Sequence, residues 1–214
     1  MVILKYIAIL LMGYMFGNIV ISYIIAKIKA GIDIRQFGTN NAGASNVAVT
    51  VGYKYALIAY VVDILKGVAP VVIARTAFKD LTYAPVVAGC GAVLGHIFPC
   101  ILKLKFKGGK GFATYVGMML GLSPLAGFIF GISAVIFGII VDRLVISTIL
   151  VTMLYPIYIL IVKGYSYGIG VLILMFTSLI VIYKHKDNIR RLMKNSEPRI
   201  RENFRKHRKK KNDI

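Results

Sequence analysis

The sequence predicts an all-α protein embedded in a membrane, with about seven transmembrane helices, one of them short. Three observations carry that prediction. Of 214 residues 58% are hydrophobic and the mean hydropathy is +0.76, well above what a soluble domain carries. The apolar residues fall in runs close to the roughly 18–20 residues that cross a bilayer as helix. The 27 Lys and Arg, set against 8 Asp and Glu for a net charge of +19, gather in the intervals between those runs and in the C-terminal tail. Charge placed beside spans in this way points to anionic lipid headgroups and phosphorylated substrates, and away from nucleic acid.

Taken in order, residues 3–27 predict the first span, ending at Lys27 and Lys29. One lysine precedes the apolar run and no A-x-A cleavage pattern follows it, which predicts a retained span and not a signal peptide. Residues 30–54 are polar and dense in Gly, Asn, Ser and Thr, so they must lie at the interface or line a protein-walled cavity. Residues 55–74 predict the second span, with Asp63 and Lys66 on one helical face, and ionisable groups at that depth are functional candidates. The third, 83–102, carries His96 and Pro99 near its end. A short helix, about 111–122, closes at Ser123-Pro124; residues 124–141 and 144–162, hinged at Asp142-Arg143, and then 167–183 complete the set. The Gly117/Gly121 and Gly127/Gly131 spacings predict close helix packing. Cys90 and Cys100, about 15 Å apart if helical, are too far apart for a disulfide and propose no metal site.

With seven spans and the N-terminus outside, the intervals 27–54, 103–110, 142–143 and 184–214 are cytoplasmic and hold 22 of the 27 Lys and Arg. The positive-inside rule favours this orientation, with the C-terminus in the cytoplasm. Residues 1–198 then form one membrane unit, and residues 199–214 a basic tail suited to anionic lipid.

Three polar constellations share that face. The first is the Asn-rich interval. The second is Lys103-Leu104-Lys105-Phe106-Lys107-Gly108-Gly109-Lys110-Gly111, where glycine backbone freedom, lysine charge and the start of a helix combine into an anion cradle. It is not a Walker loop, which needs GxxxxGK[ST]. The third runs from His185-Lys186-Asp187-Asn188 to Asn195-Ser196-Glu197 and brings an imidazole, an amide and a carboxylate together with cations. His96 and His185 titrate near neutrality and suit proton transfer, while Lys110 with an arginine suits phosphate.

These segments resemble, in order and over most of the chain, the bacterial acyl-phosphate-dependent glycerol-3-phosphate acyltransferases. Gly31 to Arg35 with Gly38-Thr39-Asn40-Asn41-Ala42-Gly43-Ala44-Ser45-Asn46 looks like that family's first cytoplasmic motif. Asp63-Ile64-Leu65-Lys66-Gly67 is similar to its second-span signature, Gly95-His96-Ile97-Phe98-Pro99 with Phe106 through Thr114 to its central motif, and His185 through Glu197 to its last. The resemblance implies acyl transfer from acyl phosphate to the 1-hydroxyl of sn-glycerol 3-phosphate in a bacterial inner membrane, with no metal or nucleotide cofactor. It implies a catalytic set of Lys110, His185 and Asn188. It places Arg35, Gly38, Asn41, Gly43, Asn46, Lys107, His96, Ser147, Glu197 and the amides of Gly108 and Gly109 on substrate and phosphate, with Asp63 and Lys66 in support. Two positions depart from the pattern: Asn18 stands where the family has a serine, and Val49 where an arginine is expected. A non-catalytic relative binding phosphorylated lipid or a lipid-synthesis partner, and a small transporter of a phosphorylated solute with Asp63 and Lys66 in its pathway, share these features.

Overall fold

Helices account for all the regular structure in the described residues, and glycines set how closely those helices meet. The computed structural model describes residues 1–101 and 107–202. Lys103, Lys105 and most of the basic tail therefore lie outside the described residues. The helices are α1 (Val2–Gly17), α2 (Ile21–Ala30), α3 (Ala44–Thr50), α4 (Tyr53–Ala77), α5 (Ala84–Ile97), α6 (Phe112–Leu122), α7 (Pro124–Ile140), α8 (Leu144–Lys163), α9 (Gly168–Lys184) and α10 (Lys186–Met193).

Two boundaries differ from the sequence reading. The first span is broken, not continuous, because Asn18 ends α1. Its Nδ2 donates to the Tyr14 carbonyl (2.8 Å), and its Oδ1 accepts the backbone N–H of Cys100 (2.8 Å). An Asn side chain that bonds backbone groups in this way competes with helix continuation. The two pieces together, Val2–Ala30, are still long and apolar enough to cross a membrane, as are α4 and α8. The third span is shorter than 83–102: α5 stops at Ile97 because Pro99 keeps Phe98 out of the helical region. α9 and α10 form a pair bent by 55° at His185.

Packing follows the small residues. On the α1–α5 contact, a β-carbon at Gly13 would lie 2.0 Å from the Ala88 carbonyl oxygen, and one at Gly95 would lie 2.1 Å from that of Tyr14. α4 and α6 meet just as closely, with Gly67 on the Thr114 carbonyl and Gly117 on that of Ile64. Gly121 packs on Val71, and Gly127 and Gly131 lie against α6, so both GxxxG spacings serve helix contact. Between α6, α8 and α9 the core is aromatic: buried Tyr115 and Tyr155 meet edge to face, and Tyr115 Oη bonds Ser178 Oγ at 2.7 Å. Cys90 is buried and Cys100 exposed, both as free thiols. This scaffold holds the chain breaks at residues 18–20, 98–101, 107–111, 142–143 and 185 as the places where polar groups meet.

Candidate active site

The loop before α6 closes on the end of α5. Gly108 N–H donates to the Ile97 carbonyl (3.2 Å) and Gly109 N–H to that of His96 (3.1 Å). These two amides therefore hold the loop together and are not the anion donors that the lysine–glycine pattern implies. Beyond Lys110 the next N–H groups belong to the start of α6. There Gly111, at φ +91°, lets the chain turn into the helix and brings no capping side chain. The first turn of a helix presents unpaired N–H groups and the positive end of its dipole, an arrangement suited to an anion. Thr114, fully buried in that turn, has a hydroxyl without a partner among the described residues.

Lys110 leans over this turn and donates to Asn188 Oδ1. Asn188 Nδ2 in turn donates to Glu197 Oε1 (2.7 Å). The other carboxylate oxygen accepts from Arg191 Nε (2.8 Å), and the Glu197 backbone carbonyl accepts from Arg143 Nη1 (2.7 Å). One chain of contacts thus links the central loop, α10, the segment after it and the α7–α8 hinge. Burial, with the Arg191 cation nearby, lowers the Lys110 ammonium to about 8. His185 is buried and its Nδ1 lies 2.8 Å from the Val181 carbonyl, which can only accept, so Nδ1 carries the proton and Nε2 keeps a lone pair. Burial lowers His185 to about 4, so it is neutral under ordinary conditions. Lys107 is exposed at the mouth of the loop.

Beneath the loop lies a second, drier network. Lys66 Nζ stands 2.8 Å from Asp63 Oδ1, 2.8 Å from His96 Nδ1 and 2.7 Å from the Ile19 carbonyl. It ties α4, α5 and the break after α1 at one point. Gly109 sits directly on the His96 ring, where a β-carbon would come 2.1 Å from Nε2.

The first interval uses its polar residues on itself. Asn46 is fully buried. Its Nδ2 donates to the carbonyls of Ile34, Phe37 and Asn41 (2.8–2.9 Å), and its Oδ1 accepts the Thr39 N–H (2.8 Å). That amide organises the turn and has no capacity left for phosphate. Gly38, at φ +61°, packs on Asn46 Oδ1, and Gly43 supplies the carbonyl that accepts the Asn46 backbone N–H. Arg35 is forked onto Asp33, its Nε 2.9 Å from Oδ1, and lies over the Tyr23 ring; its hydrogen bonds hold the Asp33 carboxyl below the usual range. Ser147, also expected on substrate, donates to the Leu144 carbonyl within its own helix (2.9 Å), and it is Arg143 that reaches the Glu197 segment. The sequence reading missed Arg143 and Arg191 as Glu197's partners, and Asn18 as the pin of residues 98–100. Replacing Asn46 by Ala is expected to destabilise the protein by about 3 kcal/mol, since one N–H and three carbonyls lose their partner. Thermal unfolding and amide exchange of residues 31–52 measure it, and unchanged exchange there would remove Asn46 as the organiser.

Fold and site together define an all-helical integral membrane protein whose polar site is built from cations, helix-start amides and a neutral imidazole. A family described as glycerol-3-phosphate acyltransferase matches residues 7–195. The chain is 35% identical to the glycerol-3-phosphate acyltransferase of Clostridioides difficile (strain 630), over 94% of this chain and 98% of the relative. It is 34% identical to that of Aquifex aeolicus (strain VF5), over 92% and 100%. Its fold is similar to the crystal structure of PlsY (YgiH), an integral membrane glycerol 3-phosphate acyltransferase, in the glycerol 3-phosphate form (TM-score 0.83, 30% identity, 92% and 96% covered). The lysophosphatidic acid form of that protein matches with a TM-score of 0.80 at the same identity, over 91% and 95%. The chain belongs to the glycerol-3-phosphate acyltransferase family and is an acyltransferase enzyme of the membrane.

Proposed function

We propose that this chain transfers a fatty acyl group from acyl phosphate to the 1-hydroxyl of sn-glycerol 3-phosphate, at the cytoplasmic face of a bacterial inner membrane. The 1-hydroxyl oxygen attacks the carbonyl carbon, the bond to phosphate breaks, and the hydroxyl proton leaves with the phosphate; lysophosphatidic acid and inorganic phosphate result. The observation that carries this reading is the Lys110–Asn188–Glu197 chain beside His185, because it joins a phosphate-binding cation to groups that orient an alcohol. The Lys110 ammonium and the first amides of α6 hold phosphate. Asn188, fixed by Glu197, and the Nε2 lone pair of His185 receive the glycerol hydroxyls. A mixed anhydride already contains a good leaving group, so orientation and charge stabilisation supply much of the rate with little demand for a strong base.

Seven crossings, formed by Val2–Ala30, α4, α5, α6, α7, α8 and α9, would leave the N-terminus outside, with the lysine–glycine loop and the tail in the cytoplasm. The shorter α5 (14 residues), α6 (11 residues) and α7 (17 residues) suit a locally thinned bilayer. Residues 199–214 are proposed to bind anionic lipid. Their described start is anchored, since the Arg201 backbone N–H donates to Asp142 Oδ1 (2.9 Å).

The deciding test is acyl transfer by the purified protein in lipid, with palmitoyl phosphate or palmitoyl-CoA and labelled glycerol 3-phosphate. Product from palmitoyl phosphate alone is the expected result. A folded protein that binds glycerol 3-phosphate without turnover is instead a binding relative. A pH profile checks the Lys110 assignment. Its ammonium is charged below about 8 and neutral above, so the KM for glycerol 3-phosphate should rise as pH passes 8. With His185 already neutral, an inflection at about 6 should come from the second ionisation of the substrate phosphate and not from that imidazole.

A further inference from the structure

We propose that Asp142 and Arg143, at the α7–α8 hinge, are positioning residues for acyl transfer: they clamp the segment 195–201 across the hinge and so hold Glu197 where it aims Asn188 at the substrate. This rests on the function proposed above and deepens it. Two helix ends of one kind meet here. α7 closes with the Asp142 N–H on the Ile139 carbonyl (3.3 Å) and the Arg143 N–H on that of Gly138 (3.0 Å), with Asp142 at φ +57°. α10 closes in the same way, with the Asn195 N–H on Leu192 (3.0 Å), the Ser196 N–H on Arg191 (2.8 Å) and Asn195 at φ +52°.

The segment after α10 has no apolar footing of its own. Of residues 193–199 only Glu197 is buried, and the segment and the hinge residue Arg143 line a polar cleft of about 310 Å³. Hydrogen bonds from the hinge therefore set its place. Arg143 Nη1 donates to the Glu197 backbone carbonyl (2.7 Å), Asp142 Oδ1 accepts the Arg201 N–H (2.9 Å), and the Asp142 carbonyl accepts that of Ile200 (3.4 Å). Because Arg143 grips the backbone, both carboxylate oxygens stay with Asn188 Nδ2 and Arg191 Nε. Glycine adopts a left-handed conformation at the least cost. An aspartate there instead supplies the oxygen that anchors Arg201. Among the described residues no hydrogen bond joins the hinge to Lys110 or His185, so it acts on the site through Glu197 and Asn188.

Kinetics of the full chain in lipid, with palmitoyl phosphate and glycerol 3-phosphate, test this. Arg143→Met should lower kcat/KM for glycerol 3-phosphate about thirtyfold, with the KM for palmitoyl phosphate within about threefold of wild type. Arg143→Lys, whose ammonium also donates to a carbonyl, should recover part of the loss. Asp142→Gly suits the left-handed backbone but lacks Oδ1, and should lose about tenfold; Asp142→Asn keeps that oxygen and should lose less. Arg143→Met added to Glu197→Ala should slow the enzyme no further, because the arginine acts through that carboxylate. Amide exchange reads the clamp directly: the Ile200 and Arg201 N–H groups should be protected in the wild type and exchange faster in Asp142→Gly. The proposal is overturned by Arg143→Met turnover within about threefold of wild type, by a loss that adds in full to that of Glu197→Ala, or by equal rises in both KM values. Unchanged exchange at Ile200 and Arg201 in Asp142→Gly overturns it as well. Wild-type turnover tests the proposed function separately, because exchange reads the clamp whether or not acyl transfer occurs.

Discussion

Lys110→Ala is expected to lower acyl transfer by about a thousandfold or more, with the protein still inserted and folded. The ammonium makes two kinds of contribution. It donates to Asn188 Oδ1, which fixes the amide that Glu197 holds from the other side, and in the proposed reaction it is the loop's cation for phosphate. Charge-assisted bonds of this kind are roughly twice as strong as neutral ones. Among the described residues of the loop nothing takes its place. The Gly108 and Gly109 amides are bonded to Ile97 and His96, and Lys107 is exposed. Removal of the side chain costs little in stability, because Lys110 is only partly buried and its partner Asn188 keeps its bond to Glu197. Kinetics with palmitoyl phosphate, alongside a melting curve, separate the two effects. Turnover unchanged within threefold would take the loop cation out of the reaction.

Lys110→Arg sharpens the same argument. A guanidinium keeps charge at every accessible pH, so the rise in KM above pH 8 should vanish in that variant even where its rate is lower. Persistence of the rise would assign it to a group other than Lys110.

Hydropathy and charge made the helices legible, because a lipid-facing helix must be apolar along its whole length and its flanking cations show where it leaves the bilayer. The GxxxG spacings were legible for a related reason: close approach needs small residues at a fixed period. What remained hidden depended on partners far away in sequence. Asn18 breaks the first span because it finds the Cys100 amide, 82 positions on. Nothing in Gly-Asn-Ile-Val announces that meeting. Asn46 looks like a ligand because it is polar and set among glycines, yet burial turned it into the organiser of its own loop. Gly108 and Gly109 carried the signature of an anion cradle, but a glycine amide that faces inward serves the fold just as well. Lys66 and His96, 30 residues apart, were each visible and their contact was not. Glu197 was placed at the site by resemblance, while Arg143 was read only as a hinge. The pattern is physical: side chains whose role depends on what they touch across helices cannot be assigned from spacing alone.

Asp63→Asn should destabilise the protein by about 3–5 kcal/mol, because it leaves the Lys66 ammonium buried without its counter-charge. Both side chains are nearly inaccessible, 2% for Asp63 and 3% for Lys66, so solvent cannot take over. The double variant Asp63→Leu, Lys66→Met removes both charges and keeps much of the volume. It should recover most of the lost stability, since exchanging a buried pair for apolar side chains is often neutral. Recovery of stability need not bring recovery of rate. The lysine also bonds the Ile19 carbonyl and His96 Nδ1, so its loss loosens the α1–α2 break and the His96 ring beneath the central loop. A double variant that melts near wild type yet turns over slowly, with a near-normal KM for glycerol 3-phosphate, is the outcome expected of a positioning pair. A double variant that regains both stability and rate would show that the ion pair serves only the fold.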